Sequence, residues 1–200
     1  MTDNSGQQST SKVSYHSLQR KPWDKNRFLP LLTGLACLLV IIPGSYLLKA
    51  YGPDIMFNFT PSMPKGLYVV TPVTASHLFH KGEVIVYPVP KHVEGVVYGR
   101  KYLPVAMPLL KPIAAMAGDT VCIKSHKLTI NGRGTDQVFD SDSNGEPVPY
   151  KEGCTTLKDD ELFPVSTYYT RSFDGRYHGV IRKQDVIGIA TPWLMFPLGW

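Results

Sequence analysis

The run Thr60-Pro61-Ser62-Met63-Pro64-Lys65-Gly66 sets a serine between two prolines. The rings fix φ at 61 and 64 and restrict the residues before them, so Ser62 is held on a rigid, non-helical loop. Such a loop presents a nucleophile well, although a serine beside prolines is far more often only a turn residue. A serine hydroxyl attacks efficiently once a base takes its proton. His16, His77, His80, His92, His126 and His178 lie in no recognisable triad signature, and His77 and His80 read as solvated loop residues. The other available base is a lysine. Lys111 stands alone in an apolar run, after Leu109-Leu110 and before Pro112-Ile113-Ala114-Ala115-Met116-Ala117. In that setting an ammonium either snorkels to water or is desolvated. At an ordinary pKa about one lysine in ~2,500 is neutral at pH 7, and a shift to about 7 requires ~4–5 kcal/mol of desolvation or like-charge strain.

The elements that carry these residues follow an apolar segment. Phe28 to Leu48 contains no charged residue and is bracketed by Arg27 and Lys49. At a helical rise it spans roughly 31 Å, close to the hydrocarbon thickness of a bilayer. Pro30 lies near its start and Pro43 in its last third. A cleavable secretory signal with its apolar core at 31–42 is the alternative, but no small-x-small cleavage site follows that core cleanly. Residues 1–27 carry Lys12, Arg20, Lys21, Lys25 and Arg27 against Asp3 and Asp24, in a Ser-, Gln- and Asn-rich setting. That composition predicts a flexible basic tail, kept cytoplasmic by the positive-inside rule, with residues 49–200 exported. The net charge of +5 is concentrated in this tail. No basic helix interleaved with aromatics and no nucleic-acid-binding motif accompanies it, so nucleic acid is not an expected partner.

In an oxidising compartment Cys122 and Cys154 are expected to form a disulfide, the alternative being two buried thiols. No C-x-x-C and no zinc spacing is present, and no metal or cofactor is expected. Strand signals dominate the exported part. Gly66–Val70, Glu83–Tyr87, Thr120–Ile123 and Lys127–Ile130 are short, β-branched or aromatic, and bounded by turn residues. Asn131-Gly132 is a tight-turn dipeptide, and Lys127–Ile130 should pair antiparallel with Val121–Lys124. Residues 132–153 are polar and turn-rich and read as a surface excursion. The expected fold is predominantly β, a coiled-sheet domain on a single membrane helix. The apolar strands at 67–70 and 85–87 are expected to pair with an extended substrate.

Four segments occur in order: Ser62-Met63-Pro64, Lys81-Gly82-Glu83-Val84-Ile85-Val86-Tyr87, Lys111 to Asp119, and Ser172-Phe173-Asp174-Gly175-Arg176-Tyr177-His178-Gly179. This series resembles the boxes of bacterial type I signal peptidases, whose fold is a signal-peptidase-like coiled β-sheet domain. The resemblance implies Ser62 as nucleophile and Lys111 as general base. It implies that the Thr60 hydroxyl and the Ser62 amide hold the oxyanion. It also implies that Ser172 orients the lysine amine and that Asp174 and Arg176 buttress the site, a simple turn-side ion pair being the alternative for those two. Pro112 and Ala117 stand where housekeeping enzymes usually carry a basic residue and a proline, and Thr167–Arg171 replaces the usual Gly-Asp-Asn-Arg run. Ser62–Tyr68 and Ser172–Tyr177 resemble the TraF branch, the peptidases of conjugative plasmid transfer.

That branch implies a peptidase anchored once in the inner membrane with its catalytic domain periplasmic. Its implied substrate is a pilin precursor, cleaved or cyclised through an acyl-enzyme, and conjugation-channel proteins are further candidate partners. A general signal peptidase releasing exported preproteins, and an inactive secretion-channel component, are the alternative readings.

Overall fold

The computed structural model describes residues 28–196, with only the backbone described at 47–51 and 135. The chain divides after Tyr51 into a helical unit and a β-rich unit. The helix α1 (Leu29–Tyr51) contains Pro43. Its segment Leu29–Tyr46 has the length and composition to cross a membrane. Nearly every described side chain on it is exposed, including Leu31, Leu35, Leu38 and Ile42. A helix apolar on all sides suits a lipid solvent. The expected basic tail at 1–27 lies outside the described residues.

The second unit holds two antiparallel sheets. The larger has seven strands in the order β1-β2-β11-β3-β4-β9-β10. These are β1 (Asp54–Asn58), β2 (Gly66–Pro72), β3 (Val84–Tyr87), β4 (Leu109–Ala115), β9 (Glu161–Pro164), β10 (Ile181–Arg182) and β11 (Gly188–Met195). The smaller sheet runs β7-β6-β5-β8, from β5 (Thr120–Lys124), β6 (Lys127–Ile130), β7 (Arg133–Gln137) and β8 (Gly153–Thr156). Two short helices, α2 (Glu94–Val97) and α3 (Gly175–His178), fill connections.

Strand β4 explains how the sheets share a core. Its residues are apolar apart from Lys111 and most are buried, as an interior strand requires. Leu109 and Ile113 pack with Ile85, Tyr87 and Leu162 in one cluster. Ala115 packs with Val121, Leu128 and Phe163 in another. A register shift between Ile113 and Ala115 against β9 marks the handover. Cys122 and Cys154 are directly opposed on β5 and β8 and are disulfide-bonded, with Cα atoms 4.0 Å apart.

The four strand segments expected from sequence all form, as does the β5–β6 pairing, which turns through Ser125 and His126. Asn131-Gly132 forms its tight turn, with φ of 51° and 77°, the left-handed pair that such a hairpin demands.

Two expectations are corrected. Residues 132–153 are more than a surface excursion: β7 extends the small sheet, Val138 and Val148 are core, and Ser141–Asn144 line the cleft that Ser62 also lines. The strands at 67–70 and 85–87 cannot take up a substrate, because β2 is paired by β1 and β11 and β3 by β11 and β4. Their backbone donors and acceptors are already used.

Candidate active site

Ser62 lies in the loop between β1 and β2, whose pairing closes at Asn58↔Gly66. Gly66 permits that closure, since a Cβ there would stand 2.3 Å from the Leu194 carbonyl oxygen on β11. Asn58 organises the loop from inside. Its Nδ2 donates to the carbonyls of Thr60, Met63 and Pro64 at 3.0–3.2 Å, and its Oδ1 accepts from the Thr60 amide at 3.2 Å. Tyr68 adds a hydroxyl bond to the Pro64 carbonyl at 2.7 Å.

Lys111 reaches the serine from β4, where it pairs with Ile85 of β3. Its Nζ donates to Ser62 Oγ at 2.5 Å. Ser62 is 7% exposed and Lys111 3%. Burial lowers the Lys111 pKa to about 8, with Asp174 pulling it up and Arg176 pushing it down. The amine can therefore be neutral near physiological pH, as a general base must be.

Thr60 Oγ1 is 3.1 Å from Ser62 Oγ and donates to Asn58 Oδ1 at 2.8 Å. Its proton is committed to Asn58 here, so donation to an oxyanion requires the hydroxyl to turn.

Ser172, Asp174 and Arg176 sit in and just after the loop that follows β9. Gly175 lets α3 press onto β9, a Cβ there falling 2.6 Å from the Pro164 carbonyl oxygen. Ser172 lines the same cleft as Ser62 and Lys111 and is buried, but its hydroxyl has no hydrogen-bond partner among the described residues. Asp174 and Arg176 form a fork-to-fork pair at 2.9 Å for both Nε–Oδ1 and Nη2–Oδ2. Arg176 also donates to the carbonyls of Gln137, Thr170 and Ser172 and meets Asp136 of β7 at 2.8 Å. Neither side chain is at a solvated turn; both are fully buried.

A cleft of about 310 Å³ runs past the Ser62–Lys111 contact. Apolar Met56, Met107 and Leu109 line one part, and the polar turn Ser141–Asn144 another. Asp142 anchors that turn, accepting from the amides of Asn144 and Glu146 at 2.8 and 3.0 Å and from the Tyr102 hydroxyl. The hydrogen bond to Tyr102 leads the influences that hold its carboxyl below the usual range. Against β4, strand β9 pairs only at Ile113 and Ala115, leaving Leu109–Lys111 without a strand on that side. Arranged so, the residues can deprotonate a serine at the side of an open cleft.

The family model described as signal peptidase, peptidase S26, matches residues 27–194. The chain belongs to the peptidase S26 signal peptidase family. Two plasmid transfer proteins TraF of Escherichia coli are similar to this S26 chain. One is 26% identical over 172 residues, covering 81% of this chain and 91% of the relative. The other is 30% identical over 87 residues, covering 42% and 49%. The crystal structure of a signal peptidase I from Enterococcus faecalis V583 aligns over 57% of this chain and 98% of its own, at 19% identity and a TM-score of 0.36.

Sequence reasoning missed Asn58 and the Asp142 turn. An Asn two residues before a Thr, able to close a local side-chain turn, was the available signal for the first. His77 is less solvated than its sequence setting suggests, its Nε2 lying 3.1 Å from Glu83. His178 is buried against the Tyr87 hydroxyl at 3.1 Å. Burial is the chief reason its pKa falls to about 4.

Proposed function

We propose that this S26 peptidase cleaves a conjugative pilin precursor with a Ser62–Lys111 dyad, from a single-pass anchor in the inner membrane. The observation that carries the reading is the 2.5 Å contact from a buried lysine amine to the serine hydroxyl. Neutral Lys111 takes the Ser62 proton as Oγ attacks the scissile carbonyl carbon. The oxyanion is held by the loop amide of Ser62 and by the Thr60 hydroxyl once it turns from Asn58. Collapse breaks the C–N bond, Lys111 returns its proton to the leaving amine, and an ester remains on Ser62. Water then hydrolyses the ester. Alternatively, the pilin's own amino terminus attacks it and closes a ring, favoured by a high local amine concentration.

An extended precursor segment would lie beside Leu109–Lys111, along the edge of β4 that β9 does not cover. Asp174 and Arg176 serve as supports behind the lysine, and Ser172 faces the same space. For membrane placement, α1 supplies the span, and Ile55, Phe57, Phe59, Trp193 and Leu194 form exposed apolar surface suited to lipid. The similarity to the two TraF proteins favours a pilin as substrate and channel proteins as neighbours.

The test is to incubate the purified chain in detergent with the pilin precursor of its own transfer system and weigh the product. A product one water lighter than the linear cleaved peptide means cyclisation, and the full linear mass means hydrolysis. An untouched pilin, with a generic signal-peptide substrate cut instead, overturns the pilin assignment in favour of general preprotein release. No cleavage of either, by a folded chain, means an inactive channel component.

A further inference from the structure

Three of the carbonyls around Ser62 are held by Asn58, on the strand leading into the loop. The carbonyl of Ser62 itself is held from the opposite wall. Ser166, which follows β9 and is 104 residues away in sequence, donates its hydroxyl proton to Ser62 O. It is wholly buried. Its own amide donates to Asp174 Oδ2 at 3.1 Å, and its Oγ accepts from the Tyr168 amide at 3.2 Å. A path of hydrogen bonds thus runs from Arg176 through Asp174 and Ser166 to the backbone of Ser62.

We infer that Ser166 is a positioning residue for the nucleophile, clamping the Ser62 carbonyl to the wall that carries Asp174. The inference rests on Ser62 being the nucleophile. Pinning the carbonyl fixes ψ at Ser62, and with the neighbouring carbonyls already tied it fixes where Cβ points and so the arc from which Oγ reaches Lys111. Oγ must point at Lys111 within hydrogen-bond reach for proton transfer. Asp174 contacts the Ser166 amide, so part of its influence on the reaction passes through Ser166.

The test uses the full chain in detergent and a synthetic peptide spanning the pilin cleavage segment, comparing wild type with Ser166→Ala, Ser166→Cys and Ser62→Ala. Ser166→Cys still fills the site, with a somewhat larger γ atom, but replaces a good donor with a weak one. With Oγ misdirected, kcat should fall about 10- to 100-fold in both Ser166 variants while KM stays within about threefold. The midpoint of the rising pH limb should stay where it is in wild type, since it belongs to Lys111. A space-filling role predicts instead that the cysteine variant matches wild type, and that result overturns the inference. So does wild-type kcat in Ser166→Ala, or a loss in both variants accounted for by their unfolded fraction. If Ser166→Ala does not fold, Ser166→Cys decides alone. An active Ser62→Ala removes the nucleophile assignment and this inference with it. A dead Ser62→Ala beside fully active Ser166 variants removes only the inference.

Discussion

Asp174 and Arg176 are joined by two parallel hydrogen bonds of 2.9 Å with both side chains sealed from water. A buried pair is weak evidence of net stability, but breaking it leaves a charge with nowhere to go. Here the pair also flanks Lys111, and its two members act on that amine with opposite signs.

Opposed pH shifts follow from those signs. The rise of kcat/KM with pH in wild type should have its midpoint near the Lys111 value of about 8. Asp174→Asn removes the charge that favours the ammonium and should move the midpoint to lower pH. Arg176→Gln removes the charge that opposes it and should move the midpoint up. Arg176→Gln strands the buried Asp174 carboxylate and should cost ~3–5 kcal/mol of stability, and Asp174→Asn should cost less because Arg176 keeps Asp136. Rate profiles on the folded fraction read the shifts, and movement of both midpoints in one direction contradicts the electrostatic account.

Activity and stability should trade against each other at Lys111. Its folded pKa of about 8 lies below the ordinary value of 10.5, so the unfolded chain holds more protons between those limits. Stability must therefore rise with pH through that window, the whole cost being present below it. Lys111→Met should be inactive yet more stable than wild type at pH 7, by ~1–3 kcal/mol, with the gap narrowing by pH 10. Urea unfolding at the two pH values measures this, and a less stable Lys111→Met at pH 7 contradicts it.

Asn58→Ala should loosen the nucleophile loop. The carbonyls of Thr60 and Met63 lose their donor, while that of Pro64 keeps the Tyr68 hydroxyl. Leaving such groups unsatisfied costs ~1–3 kcal/mol. The Thr60 hydroxyl also loses its acceptor. A lower melting temperature together with a reduced kcat is expected. Unchanged kinetics would show that the prolines alone hold the loop.

Replacing both Cys122 and Cys154 with alanine should lower stability by ~2–4 kcal/mol on the chain-entropy model. The bridge joins β5 and β8 of the small sheet, and neither cysteine lines the Ser62 cleft. At a temperature where the variant is folded, kcat should therefore be nearly unchanged. A large kcat loss there would mean that the small sheet controls the dyad, for which the Arg176–Asp136 contact is the available route.

How much of this could be read in advance follows from where the information resides. Ser62 and Lys111 were singled out by their settings, a serine caged by prolines and a cation in an apolar run, and the ordered series of boxes supplied the roles proposed for them. Asn58 and Ser166 act on backbone carbonyls, and a carbonyl leaves no residue signature for a partner to match. Strand β7 reads Arg-Gly-Thr-Asp-Gln, with no apolar alternation; the Asn131-Gly132 turn imposes it. Strand β11 was hidden by Pro192, which the sheet accommodates at a register shift between Pro192 and Leu194. Ser141–Asn144 looked like solvent-exposed turn chemistry, and only the fold brings Arg100, Tyr102 and Arg171 around it.

The central claim is that Lys111 activates Ser62 to form an ester with the substrate. Its most direct test is an acid-quenched reaction of wild type, Ser62→Ala and Lys111→Arg with the pilin-segment peptide, followed by intact-mass and peptide mapping. An acyl adduct should form on Ser62 in wild type alone, since a guanidinium stays protonated and cannot serve as the base. An adduct on another residue, or turnover persisting in Ser62→Ala or Lys111→Arg, would contradict it.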